Sequence, residues 1–376
     1  MRYQVTAVGE SANNISIPRE DAKKRRVEAL DLARGFAVAL MILSHGIKGL
    51  LGFDQIPAWG LVPIHLITKF SSSLFILVFG ASLAVAFLPH VGTPSWPEKR
   101  KRLLIRGLKV FFWYKVLTIV EMNHLYSPDD IVKTLLYQAF PVYVEILGFY
   151  AIALIWVPFF LSVWKPLPTA VKWMLPIATT WLAHSLYQFD FGGHDTIKAI
   201  LVEHESHYTW GQLARAPLIF FGLLLGEQIR KSYWLPKKRF TLAGAIGGLA
   251  VLLLGGFFII AQPGIQETLV SIAKNEGKHP PELDFMLFSM GGALALIALS
   301  LSGGRILASI LRPITTIGQD SLQSFIFHIF VIFVFYRYLF GYWKSVPYDY
   351  ALFLTTLLIM MTAGWIKLSS WVQRRS

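Results

Sequence analysis

Apolar residues in this sequence gather in long blocks instead of alternating with polar ones. The blocks fall at 29–51, 66–88, 104–122, 143–164, 169–187, 213–230, 241–261, 284–302, 316–339 and 348–370. Each is about 20 residues long, the length a helix needs to cross roughly 30 Å of hydrocarbon. No water is present there to satisfy backbone groups, so every block is predicted to be helical. The expected fold is all-α, a polytopic transmembrane helix bundle of about ten spans. Two long segments between blocks, about 123–142 and 188–212, have room for short interfacial or re-entrant helices.

The polar positions sharpen this picture. Every second connection is basic: Lys23–Arg26, Lys99–Arg102, Lys165 with Lys172, Arg230 to Arg239, Arg305 with Arg312, and Arg374–Arg375. The intervening connections carry scattered lysines (Lys69, Lys133, Lys198, Lys274, Lys278, Lys344) and many of the acidic residues. This alternation fits the positive-inside rule with both termini cytoplasmic. It also accounts for the formal net charge of +13 without any nucleic-acid partner. Residues 1–26 lack an apolar core and are not a cleavable signal peptide; they are expected to be a disordered basic cytoplasmic tail. Residues 27–372 are expected to form a single transmembrane domain, and 373–376 a short basic end.

Composition agrees. The chain of 376 residues is 55% hydrophobic and 15% charged, against about a quarter charged in soluble domains. Its mean hydropathy is +0.53. Trp59, Trp113, Tyr114, Trp181, Trp210, Tyr342, Trp343 and Trp371 lie near block ends, as an interfacial aromatic belt requires. Cysteine is absent, which excludes disulfides, thiolate metal sites and a cysteine nucleophile.

Ionisable residues inside a span are costly and are candidates for function. The first block holds Asp31, Arg34 and His45. Arg34 and His45 lie eleven positions apart. In a helix that places them on one face about 16 Å apart along the axis, with Asp31 one turn before Arg34 and able to pair with it. A structural ion pair with a histidine reaching toward the surface accounts for this stripe. So does a catalytic base, since imidazole takes and returns a proton near neutral pH. Helix geometry does not choose between them.

The segment from Arg26 through Leu30-Asp31-x-x-Arg34-Gly35 to Ser44-His45 resembles the opening of the transmembrane acyltransferase superfamily. That superfamily includes the acyltransferase type 3 and heparan-glucosaminide N-acetyltransferase-like proteins. In type 3 members an arginine, ten residues and a histidine mark the first span, a spacing Arg34 and His45 match. Lys69-Phe-Ser-Ser-Ser through Gly80, Lys278-His-Pro-Pro281 and Ser324-Phe-Ile-Phe-His328 are similar to later segments of these families. The resemblance implies that His45 is the catalytic base or carries the acyl group, with Arg34, paired to Asp31, steadying the donor. It implies an acyl-CoA, acetyl-CoA above all, as co-substrate, with no tightly bound cofactor and no metal. The other implied partners are a glycan or glycolipid acceptor and the lipid bilayer, in a bacterial inner membrane.

Further candidates follow. Arg102, Arg106 and Lys109 continue the basic run into the third block; they suit either anionic lipid headgroups or the CoA phosphates. Type 3 members carry a closer arginine pair here than Arg102-x3-Arg106. His328 is a candidate for substrate contact. Glu145 and Glu121, at the depth expected of His45, are candidates to orient its ring or to meet substrate. His194, His204 and His207 raise a metal reading, but His204-Glu-Ser-His207 is one residue short of the His-Glu-x-x-His spacing; a solvated loop suits them better. Lys115 and Arg215 have no evident role. No phosphate-binding Gly-x4-Gly-Lys-Ser/Thr loop or Gly-x-Ser-x-Gly elbow is present. The expected activity is acyl transfer from cytosolic acyl-CoA to a carbohydrate hydroxyl outside. The alternatives are N-acetylation of an amino sugar and a secondary transporter with the stripe as a proton path.

Overall fold

The computed structural model describes residues 26–374. The expected disordered tail therefore lies, but for Arg26, outside the described residues, as do Arg375 and Ser376. Helices dominate, and among the described residues no named strand is present. They are α1 Glu28–Leu50, α2 Phe70–Ala86, α3 Trp96–Met122, α4 Pro128–Leu135, α5 Glu145–Trp164, α6 Thr169–Tyr187, α7 Asp195–Leu201 and α8 Gln212–Ser232. After them come α9 Pro236–Ile260, α10 Ile265–Ala273, α11 Leu283–Ile310, α12 Arg312–Gln319, α13 Ser321–Phe330 and α14 Tyr348–Gln373. Among the described residues, seven helical stretches are long and apolar enough to cross a membrane: 28–50, 58–90, 145–164, 236–260, 283–310, 321–339 and 348–373. Three further expected spans form α3, α6 and α8, helices of 27, 19 and 21 residues that fall outside that criterion. The short helices α4 and α7 occupy the two long connections, as expected. α4 is capped by Ser127, whose hydroxyl accepts from the Asp130 N–H at 3.2 Å.

Helix α1 is the hub. It packs against α2, α11, α12, α13, α14 and the turns after α13, and residues on all sides of it are buried. A helix so enclosed needs small residues where backbones meet. A Cβ added to Gly35 would sit 2.0 Å from the Ile314 carbonyl oxygen, and one on Gly318 would sit 1.9 Å from that of Asp31. Thus α12 lies backbone to backbone on the first turns of α1. The α2–α8 contact repeats the device: a Cβ on Gly222 or Gly226, four residues apart, would meet the carbonyls of Leu77 and Ala81 at 2.4 Å.

The last turn of α1 leaves carbonyls without helical partners, and each finds one. Ile47 O accepts from Leu51 N at 2.8 Å and Leu50 O from Lys344 N at 2.7 Å. Lys48 O accepts from the Tyr143 hydroxyl at 2.7 Å, and Gly49 O from Arg337 Nε at 3.1 Å. Hydroxyls tie the remaining helices in: Ser71 donates to Ala37 O at 2.8 Å, and Ser289 to Lys69 O at 2.7 Å.

Two expectations need correction. The block 316–339 is not one helix; its candidate span is 321–339. Asp320 breaks it, accepting from Gln323 N–H to start α13 anew, and α13 runs into the wide π-turns Val331–Leu339. Nor is the aromatic belt uniform. Trp59, Trp181 and Trp371 are exposed, but Tyr114 and Trp210 are buried in the protein, where they have hydrogen-bonding or packing duties of their own.

Because Gly318 touches the α1 backbone itself, Gly318→Val should prevent α12 from docking. Size-exclusion profiles in detergent should show loss of the monodisperse species; a wild-type profile and melting temperature would contradict this packing.

Candidate active site

Helix α1 presents Asp31, Arg34 and His45 as the stripe its spacing predicts. The Asp31 carboxylate accepts from Arg26, through Nε and through Nη2 at 3.1 Å, and lies 3.5 Å from Arg34 Nη1. Arg34 is fixed chiefly by other partners: Nη1 donates to Gly318 O at 3.0 Å and Nη2 to Ser82 Oγ at 2.5 Å. Its guanidinium thereby joins α1, α2 and α12.

At the other end of the stripe, His45 Nδ1 lies 3.2 Å from His328 Nε2, and the two rings stack. His328 Nδ1 lies 2.9 Å from the Ser324 carbonyl oxygen. A carbonyl only accepts, so His328 Nδ1 carries hydrogen, and in the neutral ring its Nε2 is an acceptor. His45 Nδ1 must then be the donor, which leaves a lone pair on His45 Nε2. Ser324 itself is held by its hydroxyl, bonded to Ile317 O at 3.0 Å. Tyr143 and Phe325 meet the His45 ring edge-on, and Tyr143 is also the residue that caps Lys48 O.

His45 lines a cavity with about 40 Å³ of space open to water, room for a small polar group. Lys48, Lys69, Lys278 and Glu145 share its wall with Asn275, Tyr208 and Trp210. Glu145 Oε1 accepts from Trp210 Nε1 at 2.9 Å, while its buried Oε2 has no hydrogen-bond partner among the described residues.

Behind the cavity lies a buried charged cluster. Arg215 Nε is 3.4 Å from Glu203 Oε1, and His279 Nδ1 is 3.2 Å from Glu203 Oε2. Gly211 N–H donates to Glu203 at 3.2 Å, and Arg215 Nη2 to Lys278 O at 2.6 Å. The cluster clamps the connection carrying Lys278-His279 against that carrying Tyr208 and Trp210. Burial pushes the Glu203 carboxyl up to about 7, against the opposing pull of Arg215. Burial and the Arg215 charge hold the His279 imidazole well below its usual range.

The other expected site residues fall in different places. His328 does not line the cavity. It is fully buried, with one ring nitrogen against His45 and the other against the Ser324 carbonyl. Glu121 does not orient His45 either. Its two oxygens accept from the N–H groups of Val142, Tyr143 and Val144 at 2.7–3.1 Å, and it thereby holds the segment that carries Tyr143. Arg102, Arg106 and Lys109 lie on the exposed face of α3, with Arg102 paired to Glu98 at 2.5 Å. No hydrogen bond joins these three to the α1 stripe among the described residues. His204 Nε2 lies 3.6 Å from Asp195 Oδ1. Lys115, without an evident role in sequence, donates to Leu135 O at 2.7 Å over the face of Tyr137. The sequence reading passed over Lys48, Tyr143, Tyr208, Asn275 and Arg337. Lys48, three residues after His45 on the same helix face, was the one that periodicity could have found.

The tautomers are measurable. Histidine ¹⁵N spectra of His45 and His328 should show both rings protonated at Nδ1; an Nε2–H signal from His45 would contradict the relay. His328→Ala should lower turnover about 10- to 100-fold, as for other lost orienting groups. The Glu203 carboxyl keeps its proton in the folded chain at pH values where the unfolded chain, with an ordinary value of 4.5, has released it. Its contribution to stability is therefore lost as pH rises from about 4.5 to about 7. The wild-type melting temperature should fall more steeply across that window than that of Glu203→Gln, and equal slopes would contradict the assignment.

Two family comparisons bear on this geometry. Residues 26–192, which include α1 and its stripe, match the sequence model of heparan-alpha-glucosaminide N-acetyltransferase, catalytic. Residues 121–374, well over half the chain, match that of the OpgC protein. No curated protein matches the chain. With its apolar helices, buried polar stripe and these two matches, the chain belongs to the family of multi-pass transmembrane acyltransferases that the OpgC and heparan-alpha-glucosaminide N-acetyltransferase models describe.

Proposed function

We propose that the protein transfers a short acyl group, acetyl, from acyl-CoA on the cytosolic side to a carbohydrate hydroxyl on the outer side of a bacterial inner membrane. The observation that carries this reading is the His328–His45 relay, which leaves a basic lone pair on His45 Nε2 beside a small cavity. In the proposed step His45 Nε2 takes the proton of the acceptor hydroxyl while the oxygen attacks the thioester carbonyl carbon. The positive charge gained by the ring is shared with His328 Nε2 through the Nδ1 hydrogen bond. The confined cavity favours two carbons over a long chain. Arg34, held by Gly318 and Ser82 on the same face of α1, steadies the donor about 16 Å from His45, within reach of an extended pantetheine arm. Arg102, Arg106 and Lys109 meet the CoA phosphates.

This reading takes α3, α6 and α8 as spans too, giving ten, with both termini cytoplasmic as the basic connections favour. Residues 27–372 then form one acyltransferase domain. The N-acetyltransferase match over α1 favours a second acceptor class, the amine of an amino sugar.

Radiolabelled acetyl-CoA supplied to the protein in nanodiscs, with maltoheptaose or glucosamine as acceptor, tests the proposal. Label should pass to maltoheptaose as a base-labile ester. His45→Ala should lower the rate about 10²- to 10⁴-fold, and Arg102→Ala with Arg106→Ala should raise KM for acetyl-CoA about tenfold, some 1.4 kcal/mol. Label on glucosamine alone would move the assignment to N-transfer. Absence of CoA release with either acceptor, or full activity in His45→Ala, would overturn it.

A further inference from the structure

The cavity beside His45 is lined by three lysines and one carboxylate, an excess of positive charge in a place where ions are costly. Lys48, Lys69 and Lys278 are not held alike. Lys69, buried, donates to Asn275 Oδ1 at 2.6 Å. Lys278 donates to the Tyr208 hydroxyl at 2.8 Å, lies 4.8 Å from the centre of the Trp210 ring, and has its carbonyl fixed by Arg215. Asn275 and Lys278 belong to one connection, 274–282, so a single loop sets both ammonium groups. Asn275 holds a left-handed backbone there, φ 75°, which asparagine tolerates better than most residues. Lys48 has looser support, its ammonium 6.0 Å from the centre of the Tyr143 ring. An ammonium has three donors; with one spent on Asn275 or Tyr208, each of the two held lysines has others to offer the cavity.

We infer that Lys69 and Lys278 together form the electrostatic hole that stabilises the negative charge developing on the acyl carbonyl oxygen, an inference that rests on the acyl-transfer reading above. As the acceptor oxygen bonds to the carbonyl carbon, the π pair moves onto the carbonyl oxygen and meets the two ammonium groups. Neither lysine gives up a proton. On collapse that pair re-forms the carbonyl, the carbon–sulfur bond breaks, and the CoA thiolate leaves with the bonding electrons and takes the proton from His45. Fixed donors aimed where charge appears need no reorganisation at the moment of reaction, and the clamp on loop 274–282 supplies that fixity.

Lys69→Met and Lys278→Met keep the stem and remove the charge. With acetyl-CoA and maltoheptaose in nanodiscs, each should lower kcat about 10²- to 10³-fold, with KM for acetyl-CoA unchanged within about twofold. Calorimetric binding of CoA should also be unchanged. Lys278→Arg and Lys69→Arg should recover a tenth or more of wild-type kcat. If Lys69→Met loses its cooperative melting transition, Lys69→Gln, which keeps a donor for Asn275, takes its place. Wild-type kcat in the neutral variants, a rise in KM with kcat intact, or Arg variants as slow as Met variants with normal melting would each overturn the inference while acyl transfer stands. A wild-type protein that releases no CoA would remove the acyl-transfer reading and this inference with it.

Discussion

The last turn of α1 ends with carbonyl groups enclosed by neighbouring segments, and each left buried and unpaired would cost a few kcal/mol. Leu51 N closes the last helical bond, and the other partners come from distant parts of the chain: the Tyr143 hydroxyl, Arg337 Nε and Lys344 N. Because the partners are fixed, so are the height and rotation of α1, and with them the direction of His45. At its first turns the same helix is located by contact, since Gly35 and Gly318 bring α1 and α12 to backbone distance. A helix held at both ends in this way can carry a buried polar stripe without sliding.

The site inherits that rigidity. Glu121 spends its whole carboxylate on three backbone N–H groups, and so places Tyr143, which both caps α1 and meets the His45 ring. From the opposite side Ser324 O fixes the His328 tautomer, and His328 fixes that of His45. The Glu203–Arg215–His279 cluster orders the loop whose lysine reaches the cavity. Charges that look expensive one by one thus form a support for a single small space.

The all-helical fold and its apolar spans were legible in the sequence, because block length is a local consequence of the bilayer. The stripe of Asp31, Arg34 and His45 was legible for the same reason: one helix carries all three, and periodicity gives their common face. What escaped depends on contacts between distant residues. His45 and His328 are 283 positions apart, and no pattern within either helix says that one ring orients the other. Glu121 looked like a partner for the imidazole because depth was the available guide, whereas backbone N–H groups nearby claimed it. Lys69 and Lys278 read as stray charges in sparsely charged connections, and folding brings them to one cavity. Asp320 ends α12 through its own cap, a local signal that the surrounding apolar run concealed.

We propose that one cavity, bounded by His45 and the two held lysines, receives the reacting end of the acyl-CoA donor. A cryo-electron microscopy map of the protein with bound CoA measures this most directly. The claim predicts the CoA sulfur within the cavity beside His45 Nε2, with the pantetheine arm running back along the α1 face toward Arg34 and the phosphates near Arg102 and Arg106. CoA density elsewhere on the molecule, with the cavity filled by solvent alone, would contradict it.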